Sequence, residues 1–430
     1  MKQKIICCFS LIVVALLTTF LCLPPKDADI LKNTKELKKQ NVLAIMIETG
    51  EATDTYQEST SGSWPTDGYK FNRKLSRCTN GGELSWDKEK KIVSFSGNSD
   101  DKCYVYFDVG VESIADYCDT GTDLATCVKN FGDQGSAISN IYIHNSSLAN
   151  GAGDNSYRYA GASDKVNNFV CFGSTTKPCP EDNLYRIIGV IDGKVKLIKY
   201  DFANSNLLGT DGDYSRSAIP SKANYKGSLS SIDQYYWNYK NNTSINSGYG
   251  SNIWSTSLLN KINLNTNYLN NIGTNWSNLI EDATWRVSGY SKNSVTPSVM
   301  YTKEITNATK TYGPSNGTSK IGLMYVSDYG FAASPSAWTT TLNKYHGNDA
   351  NGTSIKTINW MYMGDCDWTI SPDSSNSYYV FHLFIDGIVD YNGARATYGY
   401  GSRPVLYLKS SVLYAGGSGT KNSPITLVVW

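Results

Sequence analysis

A continuous apolar run near the N-terminus indicates in which cellular compartment the rest of this chain folds. Residues 5–23 carry no charged side chain, Lys2 and Lys4 precede them, and Pro24 follows them. Roughly 20 apolar residues at about 1.5 Å per residue cross the hydrocarbon layer of a bilayer as one helix. We therefore predict a transmembrane signal anchor over residues 1–25 and a lysine-rich stalk over residues 26–41.

Three interpretations of the run compete: a retained anchor, a cleaved signal peptide and a buried core helix. The flanking lysines and prolines at the extreme N-terminus argue against the core helix. Large residues around Leu21 fit a peptidase site poorly, which favours retention over cleavage. Five lysines between residues 26 and 39 oppose an inside N-terminus, but large downstream domains translocate largely regardless of charge. We expect a single-pass protein of the bacterial cell membrane with an extracellular body.

Cysteine spacing also favours export. Of the ten cysteines, three lie in the apolar run, six form neighbouring pairs and Cys366 is left over as an expected buried free thiol. The pairs are Cys78 with Cys103, Cys118 with Cys127, and Cys171 with Cys179. Closing loops of about 10 to 25 residues stabilises by roughly 3 kcal/mol each, and such bonds persist in oxidising compartments. Spacing alone does not fix their connectivity.

Composition bears on the class of ligand. A net charge of +1 with 18% charged residues offers no basic face, so no nucleic-acid partner is expected. Tyrosine is abundant, with 31 residues. Tyrosine combines an apolar face with a polar tip, which suits contact with glycans in secreted β-rich proteins. Codon usage in low-GC genomes explains the same enrichment equally well.

Short apolar runs between turn residues predict the domain organisation. Residues 42–110 have the pattern of a small β-sandwich-like module, tied by Cys78 and Cys103. Residues 111–137 read as a connector. The turn Ile191-Asp192-Gly193 between two β-type runs is a strong hairpin signal. In the C-terminal domain, residues 138–430, further elements are predicted by pattern: helices over 254–269 and 279–285, and strands over 321–326, 378–384, 403–408 and 426–429. The class is α+β with mainly antiparallel strands.

Four C-terminal segments carry a resemblance to a known family. They read LYRIIGVIDGKVKLI from Leu184, KIGLMYVSDYGFA from Lys320, DWTISP from Asp367 and GSRPVLYLK from Gly401. Residues 138–430 thereby resemble a C-terminal domain of unknown function in exported proteins of low-GC Gram-positive gut bacteria. Residues 42–108 are similar to a module that often accompanies it.

A more distant resemblance concerns the C-type-lectin-like folds, including formylglycine-generating enzymes. Its motif order W-x-x-S-P, D-G, R-P-x-L is matched by Trp368, Ser371, Pro372, Asp386, Gly387, Arg403, Pro404 and Leu406. The resemblance implies a C-type-lectin-like domain whose loop-rich face holds the ligand. On that basis the candidate ligand-binding residues are Trp368, Asp373, Tyr378 and Tyr379.

No catalytic constellation is recognised. Formylglycine generation needs paired reactive cysteines and a serine hydrolase would show G-x-S-x-G, and neither is recognised in the C-terminal domain. His382 falls in an alternating strand, where a packed side chain is expected. Paired carboxylates stay open as an alternative, although turn roles explain the aspartates better. These aspartates are Asp365, Asp367, Asp373, Asp386 and Asp390.

Metal sites are not supported by the sequence. Cysteine and histidine spacing fits no zinc motif, and the segments from Thr210 and Asp390 fit no twelve-residue calcium loop. No metal and no cofactor are therefore expected. Arg403 is predicted to anchor the last strand through a buried charge-assisted bond.

The function expected from these observations is non-catalytic binding of a glycan or protein ligand by a membrane-anchored cell-surface protein. Two alternatives stay open. A cell-envelope hydrolase would place two carboxylates about 5 to 10 Å apart in a cleft. A structural envelope component would associate with itself and bind no ligand.

Overall fold

The computed structural model describes residues 35–50, 53–65, 68–87, 90–240, 248–308, 310–346, 354–391 and 398–429. The predicted anchor and residues 26–34 of the predicted stalk lie outside these ranges. Within these ranges, no helix combines the length and the apolar character needed to cross a membrane. The chain divides into two compact units between Val111 and Glu112.

The first unit consists of short strands. They are β1 Lys35–Glu36, β2 Val42–Glu48, β3 Tyr56–Glu58, β4 Tyr69–Phe71, β5 Arg77–Cys78, β6 Glu83–Asp87, β7 Ile92–Ser96 and β8 Cys103–Val109, with a 3-10 turn at Lys39–Asn41. A five-stranded sheet has the order β3-β2-β8-β4, with β5 also on β8, and a three-stranded sheet has the order β1-β7-β6.

One strand pair departs from the predicted antiparallel pattern. β2 runs parallel to β8, with Ile45 opposite Val105 and Ile47 opposite Phe107. A parallel pair needs a long crossover connection, and the chain between the two strands provides it. Val105 and Phe107 are buried in the core of this unit with Phe71, so the pairing places the most apolar strand face inside.

The predicted bond between Cys78 and Cys103 is present and joins β5 to β8. The buried carboxylate of Asp101 fixes the same region, because its Oδ1 accepts the N–H of Asn80 at 2.8 Å and its Oδ2 accepts that of Gly82 at 3.0 Å. A core this small gains much from such a covalent tie.

We predict that the double variant Cys78→Ala/Cys103→Ala loses about 3 kcal/mol of unfolding free energy in the first unit, since the 25-residue separation is no longer closed. Denaturant titration of the full chain under oxidising conditions measures this loss. The control is Cys366→Ala, which leaves every disulfide intact. An unchanged midpoint for the first unit would contradict the role given to this bond.

The second unit holds the remaining strands. They are β9 Ile141–Ile143, β10 Tyr157–Tyr159, β11 Phe169–Cys171, β12 Leu184–Ile191, β13 Lys194–Lys199, β14 Tyr214–Pro220, β15 Ser231–Tyr235, β16 Ala283–Arg286, β17 Asn316–Ser319, β18 Ile321–Gly322, β19 Asp367–Pro372, β20 Val380–Leu383, β21 Val389–Asp390, β22 Val405–Tyr407, β23 Tyr414–Gly416 and β24 Thr426–Leu427. The central sheet has the order β18-β22-β13-β12-β10-β9, with β11 also on β12.

Short helices surround this sheet. The α-helices are α1 Leu124–Gly132, α2 Ser136–Ser139, α3 Ser205–Leu208, α4 Tyr268–Asn271, α5 Thr274–Ser277, α6 Pro297–Tyr301, α7 Val326–Ala332 and α8 Ile355–Ile358. The π-helices are Leu259–Asn267 and Thr302–Thr306, and 3-10 turns span Ile114–Asp116, Glu181–Asn183, Trp254–Thr256, Pro335–Ala337 and Leu342–Lys344. Antiparallel sheets combined with helices give the α+β class that the sequence predicts.

Several sequence predictions for this unit are confirmed. β12 and β13 form the predicted hairpin, and both turn residues have positive φ, 50° at Asp192 and 74° at Gly193. This is the backbone of a turn that suits the twist of paired strands. The disulfides Cys118–Cys127 and Cys171–Cys179 are also present.

Other predictions need correction. Residues 279–285 are not helical: β16 begins at Ala283 and pairs with β17, which buries Trp285 completely. The strand predicted over 321–326 stops at Gly322, and α7 begins at Val326. The region 111–137 contains α1, and apolar side chains of that helix join the core of the second unit.

Candidate functional site

The four predicted ligand-binding residues fall into two environments. Trp368 is fully buried on β19 and donates its indole N–H to the carbonyl oxygen of Tyr235 at 2.7 Å. Asp373, Tyr378 and Tyr379 lie together in the loop between β19 and β20. The structure therefore brings three of the four residues to one loop and places Trp368 in the packed interior.

Tyrosine rings group at this loop. Tyr378 stacks on Tyr249, with centroids 5.2 Å apart and planes inclined by 24°, and meets Tyr379 edge to face at 4.6 Å. Tyr249 is 48% exposed, while Tyr378 and Tyr379 are half-buried. We call Tyr249, Tyr378 and Tyr379 the tyrosine face.

A buried asparagine holds the loop behind the tyrosine face. Asn252 donates from Nδ2 to the carbonyl oxygens of Asp373 and Tyr379, both at 3.1 Å, and of Asn376 at 2.6 Å. The Asp373 carboxylate accepts the N–H of Ser375 at 2.7 Å from within the same loop. These bonds satisfy loop backbone groups without a regular strand, so the rings are presented from a fixed backbone.

A lysine with a shifted pKa lies next to this asparagine. Lys310 donates from Nζ to the carbonyl oxygen of Asn252 at 2.5 Å. Burial lowers the pKa of Lys310 to about 7. Perturbed ionisable groups concentrate at functional sites, and this amine is a hydrogen-bond donor next to the asparagine that holds the loop.

The clustered aspartates have structural partners. Asp367 Oδ2 accepts the Nε–H of Arg403 at 2.5 Å, and both side chains are buried, which confirms the predicted charge-assisted bond, although β22, which follows Arg403, is not the last strand. Asp386 accepts the N–H of Ile388 within a turn, and Asp390 accepts that of Tyr391. Asp365 accepts the N–H of Lys222 and of Cys366. These bonds fit the turn roles predicted for most of the group.

Cys366 and His382 do not have the properties of a reactive thiol–imidazole pair. Burial raises the pKa of the Cys366 thiol to about 12 and lowers that of His382 to about 4. A nucleophilic cysteine needs the opposite shifts, a lowered thiol pKa beside a protonated imidazole. His382 lies between Trp368 and Tyr400 with ring centroids 5.9 and 4.6 Å away, as expected for a packed residue.

The candidate calcium segment at Thr210 has a backbone role. Asp213 is fully buried and accepts N–H groups of Tyr239, Lys240, Leu258 and Leu259. The other candidate segment, from Asp390, continues into residues outside the described ranges. In the part of the chain that the structure describes, no group of three or more histidine, cysteine, aspartate or glutamate side chains is placed to hold a metal ion.

A separate crevice of about 410 Å³ lies between the loop closed by Cys171–Cys179 and the hairpin β23–β24. Its polar side chains are mostly hydroxyls and amides, including Thr175, Asn422 and Ser423, and Trp276 contributes an apolar surface. The hydroxyls and amides of this crevice can both donate and accept hydrogen bonds to an uncharged ligand.

The chain matches no protein-family model, and comparison with curated proteins and with solved structures finds none that matches. The resemblances inferred from the sequence therefore stay predictions.

Sequence reasoning did not find Tyr249, Asn252 or Lys310. Tyr249 is one tyrosine among 31, Asn252 contacts the loop across a large sequence separation, and Lys310 contacts Asn252 in the same way. The asparagine in an Asn-Ile-Trp segment gives no pattern that would distinguish it from a turn residue.

We predict that His382→Phe makes the protein less sensitive to acid. The unfolded histidine has a pKa near 6.5, so between about pH 6.5 and 4 the unfolded chain binds a proton that the folded chain does not. Stability should therefore fall with acidification by about 1.4 kcal/mol per pH unit from this residue. In denaturant titrations across this pH range, the unfolding free energy of the variant should fall less steeply with decreasing pH by that amount.

The matched control is His346→Phe, because His346 is exposed. Its slope should equal that of the unsubstituted chain. Equal slopes for all three proteins would contradict the assignment of acid sensitivity to His382.

Proposed function

We propose that this protein is a membrane-anchored cell-surface protein that binds glycans without catalysis and that the tyrosine face is its ligand site. The observation that carries the proposal is the grouping of three tyrosine rings: Tyr378 and Tyr379 lie on the loop that Asn252 binds, and Tyr249 stacks on Tyr378. A sugar ring has an apolar face and hydroxyl edges, and tyrosine complements both.

The groups around the rings fit the same ligand. The Lys310 amine supplies a donor, and the half-exposed ring of Tyr249 supplies an apolar surface. A site made of aromatic rings and a few polar groups binds an uncharged ligand with moderate affinity, and that affinity depends on the area of aromatic contact.

For the second unit we propose a C-type-lectin-like architecture. The support is the placement of its ligand loop between β19 and β20, and the buried Arg403–Asp367 pair that joins two motifs of the resemblance. The extracellular location is proposed on the three disulfides and the N-terminal apolar run. The membrane is then a partner through the N-terminal segment alone.

The hydrolase alternative has a weaker basis. Burial raises the pKa of Glu304 to about 7, as a general acid would require. Glu304 is, however, fully enclosed, and its oxygens accept the N–H groups of Val326 and Ser327 at 2.9 and 3.0 Å. These bonds give it a structural role at the start of α7.

The proposal is tested by applying the full-length, oxidised protein to a broad glycan array, with affinities of bound glycans measured in solution. We expect saturable binding that Tyr378→Ser and Tyr249→Ser each weaken roughly tenfold, because losing one stacked aromatic contact removes about 1 to 1.5 kcal/mol.

The matched control is Tyr398→Ser, since Tyr398 is 44% exposed in the same unit but lies outside the tyrosine face. It should bind as the unsubstituted protein does. A folded protein that binds no glycan would refute the proposal, and self-association without a ligand would support the structural alternative. Glycan binding unaffected by the two face variants would assign the ligand to another surface, with the crevice at Trp276 the first to examine.

A further inference from the structure

A second cavity in this unit contains buried charges that the proposed glycan site does not use. It measures about 270 Å³ and is lined by residues of β10, β13, β16, β22 and the start of α7. Five of the lining residues are charged: Arg158, Lys196, Arg286, Asp192 and Asp328. We call this space the charged cavity.

Three of the five charged residues are almost completely buried, and Arg286 and Asp192 are exposed. The side chains of Arg158, Lys196 and Asp328 are 3%, 1% and 2% exposed. Arg158 Nη1 lies 3.1 Å from Asp328 Oδ1, and Lys196 Nζ lies 2.5 Å from Asp328 Oδ2. Asp154 gives Arg158 a second carboxylate, 2.9 Å from Nη2. Two cations therefore face two carboxylates.

The carboxylate oxygens are already occupied. Asp328 Oδ2 also accepts the N–H of Tyr325 at 3.0 Å. Asp154 Oδ1 accepts both the N–H and the hydroxyl of Ser156, and its Oδ2 accepts the hydroxyl of Tyr301 at 2.9 Å. A ligand that brings further donors would find little acceptor capacity on these two groups.

The cations, in contrast, have donors to spare. Lys196 has three N–H groups, of which one is directed to Asp328. Arg158 has five, of which three are directed to Ser156, Asp154 and Asp328. Among the described residues, no acceptor within hydrogen-bond distance takes the others. Lys196 Nζ lies 4.4 Å from the ring centroid of Tyr325, and both cations line the cavity.

We propose that the charged cavity binds a small monocarboxylate. A carboxylate offers about four acceptor positions and forms short, strong bonds with ammonium and guanidinium groups. Two exposed residues complete the charged lining, where Arg286 adds a cation and Asp192 a carboxylate. The rings of Tyr301, Tyr325 and Tyr407 leave an apolar wall for the body of the ligand. This inference does not depend on the glycan proposal.

The test measures thermal stabilisation and calorimetric binding of the full chain with acetate and benzoate. Their amides, acetamide and benzamide, are the uncharged matches. We expect saturable stabilisation by the two carboxylates and none by the amides. The variant Arg286→Gln should raise the dissociation constant roughly tenfold, the effect of one charge-assisted bond, and it leaves the buried ion pairs in place.

Lys196→Met is the second variant and should abolish the stabilisation. Its matched control is Lys199→Met on the same strand, because Lys199 is buried to the same extent but does not line the cavity. Should Lys196→Met fail to fold, Arg286→Gln decides the test alone. Equal effects of acids and amides, no stabilisation by either acid, or binding unchanged in Arg286→Gln would overturn the proposal.

Discussion

One buried carboxylate links the sheet of the second unit to its helical layer. Asp328, in the first turn of α7, pairs with Arg158 of β10 and Lys196 of β13, and its Oδ2 also accepts the N–H of Tyr325. An unpaired charge in such a place would be strongly destabilising, so the three elements must come together in one arrangement. Because these paired groups also line the charged cavity, the cavity forms as these elements pack together.

A second buried ion pair connects the central sheet to the strand that leads into the loop of the tyrosine face. Arg403, just before β22 of the central sheet, binds Asp367 at the start of β19. β19 and β20 then hold the loop that Asn252 fixes from behind. The rings of Tyr378 and Tyr379 are therefore connected to the central sheet through hydrogen-bonded and charge-paired groups, which gives the proposed binding surface a defined shape before any ligand arrives.

Features encoded locally could be predicted from the sequence. Asp192-Gly193 specifies its own turn through positive φ, and cysteines close in sequence formed the expected bonds. Features set by distant partners could not. Arg158 and Asp328 are 170 residues apart, and each alone resembles an ordinary charged residue. Trp285 was assigned to a helix because its apolar neighbours fit either period, and only the pairing of β16 with β17 decides. In the candidate site, the resemblance predicts the loop residues Asp373, Tyr378 and Tyr379. Tyr249 joins them only through a ring contact that the folded chain creates.

We propose that the ligand binds at the loop between β19 and β20. Hydrogen–deuterium exchange of the full chain, with and without a glycan that it binds, tests this most directly. We expect slower exchange confined to residues 373–379 and to the segment around Tyr249. Protection elsewhere in the second unit, with these residues unchanged, would contradict it.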